Sequence, residues 1–197
     1  MIARARRRLP GSRRGQSMVE LALILPVFLL IVLGTLEFGF VFDHHLTLEY
    51  STREGARTGA ALSNGDGNSA FCATIDPQII AAVQRVLTSP GSDVAMNEVS
   101  QIRIYRAGVN GQELGPVNRW TYSPNGGPVV DGENLDFVQA SASWPACSRI
   151  ANAATPDSVG VSLTYTYRYR TPLTQLFNVF SLTMTDRTVM PLAPSDL

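Results

Sequence analysis

Residues 21–42 form an apolar run broken only by Glu37 and by the small residues Gly34, Thr35 and Gly39. At a rise of 1.5 Å per residue, about 22 helical residues cover about 33 Å, enough to cross the roughly 30 Å hydrocarbon core of a bilayer. A chain with such a run is held in a membrane or passed through one. Beyond it lie about 135 residues after position 62, the amount expected of one domain with a core of its own.

The zero net charge hides an asymmetry. Arg4, Arg6, Arg7, Arg8, Arg13 and Arg14 all precede the first acidic residue, Glu20. Positive residues flanking a first membrane helix stay on the cytoplasmic side, so residues 1–15 read as a basic cytoplasmic leader and the C-terminal domain as extracytoplasmic. A nucleic-acid arm is the competing reading of the tail. Without the leader, ten arginines would face sixteen carboxylates, and an acidic protein is a poor partner for nucleic acid. A secretory signal peptide is a further rival, but its apolar core is about 7 to 15 residues long and ends at small residues. Here the run is longer and continues into Phe40-Val41-Phe42-Asp43-His44-His45.

The helix has no evident reason to stop at the outer membrane surface. Residues 43–62 contain no proline and carry Leu46, Tyr50, Gly55, Ala56 and Gly59, so one rod is expected over residues 16–62, about 70 Å long. Pro26 removes one backbone hydrogen bond inside it, and a kink or local loosening is expected there. The turn formers Ser63-Asn64-Gly65-Asp66-Gly67-Asn68 end the rod. A second helix is expected over residues 76–87, with Asp76 as N-cap, Pro77 at the first helical position, and an apolar face of Ile79, Ile80, Val83, Val86 and Leu87.

Strands are expected at residues 99–107, 120–123, 136–143, 159–171 and 182–189. The clearest has Val159, Val161, Leu163, Tyr165, Tyr167 and Tyr169 alternating with small or polar residues, which makes one face buried and one wet. Residues 108–132, rich in glycine, proline and asparagine, read as an irregular surface insertion within residues 63–197. Residues 172–180 suit a short helix, and the tail from Pro191 a loose end. The fold class is α+β: a long N-terminal transmembrane helix followed by a small extracytoplasmic domain with a helix packed on an antiparallel sheet.

Cys72 and Cys147 are the only cysteines. On an oxidising outer face such a pair is expected to close into a disulfide, worth about 4 to 5 kcal/mol at most in the chain-entropy model. Without a Cys-x-x-Cys spacing, redox catalysis is not indicated.

No residue pattern nominates a catalytic site or a cofactor. The chain has no lysine, hence no phosphate-binding loop, and no Gly-x-Ser-x-Gly elbow. Asp43, His44, His45 and Glu49 fall short of a zinc site, because adjacent histidines diverge by about 100 degrees on a helix and no third histidine exists. Asn64-Gly65-Asp66-Gly67-Asn68 lacks the closing glutamate of a calcium loop and reads as a turn. Two membrane carboxylates remain. Glu20 lies near the start of the run and costs a few kcal/mol to insert without a partner. Cutting the Gly15-Gln16 bond would place an α-amino group one turn from Glu20, where attraction at about 4 Å and an effective dielectric near 20 is of order 4 kcal/mol. Glu37, farther along, suits either a contact with another helix or snorkelling to the outer headgroups.

A glycine between a basic tail and a helix, with a glutamate five residues later, is the pattern of a type IV prepilin leader. Arg14-Gly15-Gln16-Ser17-Met18-Val19-Glu20 through Pro26, then Glu37-Phe38-Gly39 and Glu54-Gly55-Ala56-Arg57, resembles the N-terminal signature of TadE-like proteins, minor pseudopilins of the tight-adherence or Flp-type pilus. The resemblance implies a type IV pilin-like helix, processing by a prepilin peptidase after Gly15, and assembly with other pilins or pseudopilins and the Tad secretion machinery in the bacterial cytoplasmic membrane. It makes Glu20 a register device, and Gly55, Ala56 and Arg57 a place of close approach whose arginine pairs with a carboxylate. Leu21 stands where many such proteins carry an aromatic. Besides membrane lipid and these partners, two other classes stay open: a single-pass binding or sensory protein that keeps its leader, and a surface adhesin using the tyrosine strand.

Overall fold

The computed structural model describes residues 13–65, 68–172 and 181–194. Most of the expected leader, residues 173–180 with their expected helix, and the last three residues lie outside the described residues. The apolar run belongs to α1, Arg13–Leu62, which passes Pro26 without interruption. The helix ends at Ser63, whose positive φ of 55° opens the left-handed turn that its sequence of small and turn-forming residues favours. The Ser63 hydroxyl donates to the carbonyl of Ala193 at 2.8 Å, and the N–H of Ala193 donates to the carbonyl of Ala60 at 2.9 Å. The far end of the chain is thereby tied to the end of α1.

The second helix, α2, covers Ser69–Leu87 and begins seven residues before its expected start. Asn68, not Asp76, is the N-cap, accepting from the N–H groups of Ala70 and Phe71 at 3.0 and 3.4 Å. Cys72 and Ile75 extend the buried face backwards, so Pro77 falls inside the helix, where the burial on either side outweighs one missing hydrogen bond. The expectation of Asp76 as a cap took a residue with capping chemistry for the boundary; its carboxylate is instead buried.

Five strands form an antiparallel sheet: β1 Val99–Ala107, β2 Glu113–Tyr122, β5 Phe137–Ala142, β6 Ser158–Arg168 and β7 Ser181–Pro191, in the order β5-β2-β1-β6-β7. A two-stranded ribbon, β3 Val129–Val130 with β4 Glu133–Asn134, stands apart. The expected insertion is therefore half regular. Glu113 to Asn118 extend β2 along β1, with a register shift between the Tyr105–Val117 and Ala107–Glu113 pairs that takes up Gly115 and Pro116, while Val117 and Asn118 are buried.

Both helices cover one face of the sheet. Ile102 and Ile104 of β1, Trp120 of β2, Phe137 of β5 and Val159, Val161 and Leu163 of β6 meet Ile75, Ile79, Ile80 and Val83 of α2 and Leu48 and Ala56 of α1 in one core. The period-2 pattern read in β6 supplies the sheet side of that core. On the other face, Gly160 lies under the Tyr105 ring, where an added Cβ would come within 2.3 Å of the ring.

Candidate membrane and assembly surface

Where α1 stands free and where it is packed decides what surface it presents. From Gly15 to Leu36 every residue is exposed except half-buried Leu33. From Glu37 onward one stripe turns inward, through Glu37, His44, Leu48, Ser51, Thr52, Gly55, Ala56 and Gly59, at the three- and four-residue spacing of one helix face.

At the free end, the side chain of Gln16 donates to Glu20 at 3.0 Å, and Gly15 has open space around it. The residues flanking the expected cut and the expected register glutamate thus share one exposed turn.

Glu37 is 7% exposed, and its partners belong to the domain. One oxygen accepts from the Tyr167 hydroxyl at 2.6 Å and from the backbone N–H of Arg170 at 3.1 Å; the other accepts from the N–H of Thr171 at 2.8 Å. Burial, and then the hydrogen bond to this carboxylate, push the Tyr167 phenol well above its ordinary range, so it remains a donor. The structure spends Glu37 on fastening the helix to the end of β6. Arg170 in turn pairs with Asp93 and lies 5.7 Å from the centre of the Phe40 ring. Nothing in the spacing of Glu37 pointed to partners about 130 residues away; the tyrosine alternation of β6 was the available signal.

Two turns farther, His44 is 2% exposed, stacked 5.5 Å from Tyr165 and edge-on at 4.9 Å to Tyr167. Neither ring nitrogen has a partner among the described residues. Burial pushes its pKa down, helped by the Arg170 guanidinium and opposed by Asp43 and Asp93. His45 is exposed, so the two imidazoles occupy different surroundings. Tyr165 and Tyr167 are buried in this packing rather than displayed as a platform.

Gly55 and Ala56 lie where α1, α2 and β6 meet. A Cβ on Gly55 would fall 2.6 Å from Val83 and 3.3 Å from Val161, and one on Gly59 would fall 2.9 Å from Ile79. The small residues therefore serve close packing within the chain. Arg57 points outward, with Glu54 3.9 Å away one turn back.

Cys72 and Cys147 are joined, tying α2 to the segment after β5. Around that bond lies a polar network that the sequence did not announce. Asp76 pairs with the buried Arg149 and accepts from the side chain of Asn118 at 2.6 Å. Asn118 also donates to the carbonyl of Trp144 and accepts from its N–H, both at 2.7 Å. The Arg149 guanidinium lies 4.5 Å from the Trp144 ring centre. Removing one partner of a buried pair of this kind typically costs about 3 to 5 kcal/mol, so the network is structural in weight. Beside it, a cavity of about 600 Å³ is lined by Asp76, Asn118 and Trp120 together with Pro77, Pro128 and Pro145. No cluster of potential metal ligands occurs among the described residues.

Among the described residues one helix, rooted in an α+β domain, is long and apolar enough to cross a membrane, which defines a class compatible with a single-pass anchor. Within that class, residues 15–57 match the model of the TadE-like protein family. The match begins at Gly15 and ends at Arg57, so it covers α1 nearly to its end and leaves the sheet outside. It points to a membrane protein associated with a Tad pilus. No curated protein and no solved structure matches the chain.

Proposed function

We propose that this chain is a minor pseudopilin, or a membrane-anchored assembly component, of a Flp/Tad-type pilus. A prepilin peptidase removes residues 1–15, and the freed helix anchors the domain on the outer side of the cytoplasmic membrane before packing against other pilin helices. One observation carries the reading: a TadE-like match that starts at Gly15 and runs along a helix that stands free of the domain for its first 22 residues or so. An exposed apolar helix needs either lipid or other helices around it. The side chain of Gln16 already reaches Glu20, which supports the reading that a new α-amino group on Gln16 would have a carboxylate one turn away, the charge partner that offsets insertion. The family is one of pilus components rather than enzymes.

The test is the mass of the protein extracted from membranes of cells with and without the matching prepilin peptidase. An N-terminus at Gln16 only in the presence of the peptidase is the expected result. An N-terminus at Met1 or Ile2 in both would leave a permanent single-pass anchor and end the pseudopilin reading.

A further inference from the structure

The depth at which this protein sits in its membrane is set by the turn that contains Glu37. Up to Leu36 the described part of α1 is free on its flanks; at Glu37 the domain takes hold of the helix through two backbone N–H groups and a phenol. Beside that contact lies the ion pair of Arg170 and Asp93, and both side chains are substantially exposed. An exposed guanidinium and carboxylate belong in water or among headgroups, since each costs several kcal/mol in hydrocarbon. The hydrocarbon edge therefore falls at Glu37, not at Phe42.

The remaining faces of the same turns match an interfacial layer. Phe38 and Phe42 are exposed and stacked with ring centres 6.3 Å apart, while Phe40 lies against Arg170. Leu182, opposite Tyr167 in the β6–β7 pairing, adds an exposed apolar side chain at the same level. Phenylalanine and leucine side chains beside charged groups suit a membrane–water boundary, where the apolar groups reach the acyl chains and the charges stay among the headgroups. The other end then follows from length. Counting back from Glu37 at 1.5 Å per residue, the Gly15–Gln16 bond lies about 32 Å away, close to one hydrocarbon thickness.

We propose that the folded domain rests directly on the outer-leaflet headgroups, with Phe38, Phe40, Phe42, Arg170 and Leu182 as its lipid-facing seat. Hydrocarbon then covers about residues 16–36 rather than 21–42, and the Glu37 clamp holds the Gly15–Gln16 bond at the inner headgroup level. The partner surface is a lipid interface. The proposal rests on the membrane reading above, but it does not require that the leader be cut.

The test uses the full chain in phosphatidylcholine vesicles, with one added cysteine carrying an environment-sensitive fluorophore at position 29, 42, 50 or 182 and the native disulfide left intact. Quenching by lipids with a nitroxide at the headgroup is compared with quenching by lipids with one in mid-chain. Labels at 42 and 182 should respond more strongly to the headgroup quencher, the label at 29 to the mid-chain quencher, and the label at 50 to neither. In Glu37→Leu the label at 182 should lose its headgroup quenching while the label at 29 keeps its depth. A domain that stands off on a stalk would leave 182 unquenched in the unsubstituted chain. A span reaching Phe42 would make 42 respond to the mid-chain quencher. Either result overturns the proposal, and neither depends on processing at Gly15.

Discussion

Gly34 and Gly39 have nothing within 4 Å of the place a side chain would take, whereas at Gly55 and Gly59 that place is already filled by Val83 and Ile79. All four glycines belong to one continuous helix. The first pair has open space around it, which accommodates an extra methyl group; the second faces a close-packed core, which does not. The same contrast holds for leucine. Leu25 is exposed, while Leu48 is fully buried between β6 and the rest of the core. Identical residues thus have different physical duties along one helix. Before Glu37 the described helix is free on its flanks, and after it one stripe of the helix enters the domain's interior.

Paired substitutions test this contrast, and the largest effect is expected from the leucines. Leu48→Ala should destabilise the domain by about 2 to 5 kcal/mol through lost burial and a residual cavity. Leu25→Ala should leave domain unfolding unchanged within about 0.5 kcal/mol, as expected of an exposed site. Thermal unfolding in detergent, followed by the near-ultraviolet signal of Trp120 and Trp144, measures both. Equal shifts would mean that the two halves are not separate environments.

The glycines come next. Gly55→Ala should cost about 1 to 3 kcal/mol, because Val83 or the helix itself has to move. Gly34→Ala should be neutral or slightly stabilising in the same assay, since alanine is the better helix former. A neutral Gly55→Ala would place the close approach elsewhere.

The smallest effect concerns pH and sharpens the boundary itself. His44 has its pKa depressed below the ordinary 6.5, so the unfolded chain takes up its proton before the folded one does. Its contribution is therefore level above pH 6.5 and becomes increasingly destabilising as the pH falls below that value. His44→Phe should flatten this part of the stability profile between pH 7 and 5.5 without changing the depth of the lower helix, about the range where an unperturbed histidine titrates. A profile that stays unchanged would show that the imidazole is not held neutral in the folded domain.

The membrane helix, the class of fold and β6 were legible because each is written in a local period. An unbroken apolar run needs no partner to be recognised, and alternation over Val159, Val161, Leu163, Tyr165 and Tyr167 declares a strand, although its other face is not wet as expected, since Gly160 and Ser162 are buried too. The boundaries of α2 and β2 were less legible, because Pro77 and Pro116 are strong local signals that tertiary burial overrides. The site was legible only in part. Gly15, Gln16 and Glu20 are proposed from one stretch of sequence, whereas the partners of Glu37 and Asp76 lie 42 to 134 residues away along the chain. Tyr167 and Arg149 look like ordinary strand and loop residues until the fold brings them there.

Local chemistry alone decided that this protein has a lipid-length helix behind an arginine-rich stretch and a sheet rich in buried β-branched and aromatic residues. Those properties depend on residues within a few positions of one another, so folding does not alter them. Tertiary structure decided where the helix joins the domain. Glu37 lies within the apolar run, and hydrogen bonds from the end of β6 and the residues after it make it the first buried residue of α1 among those described.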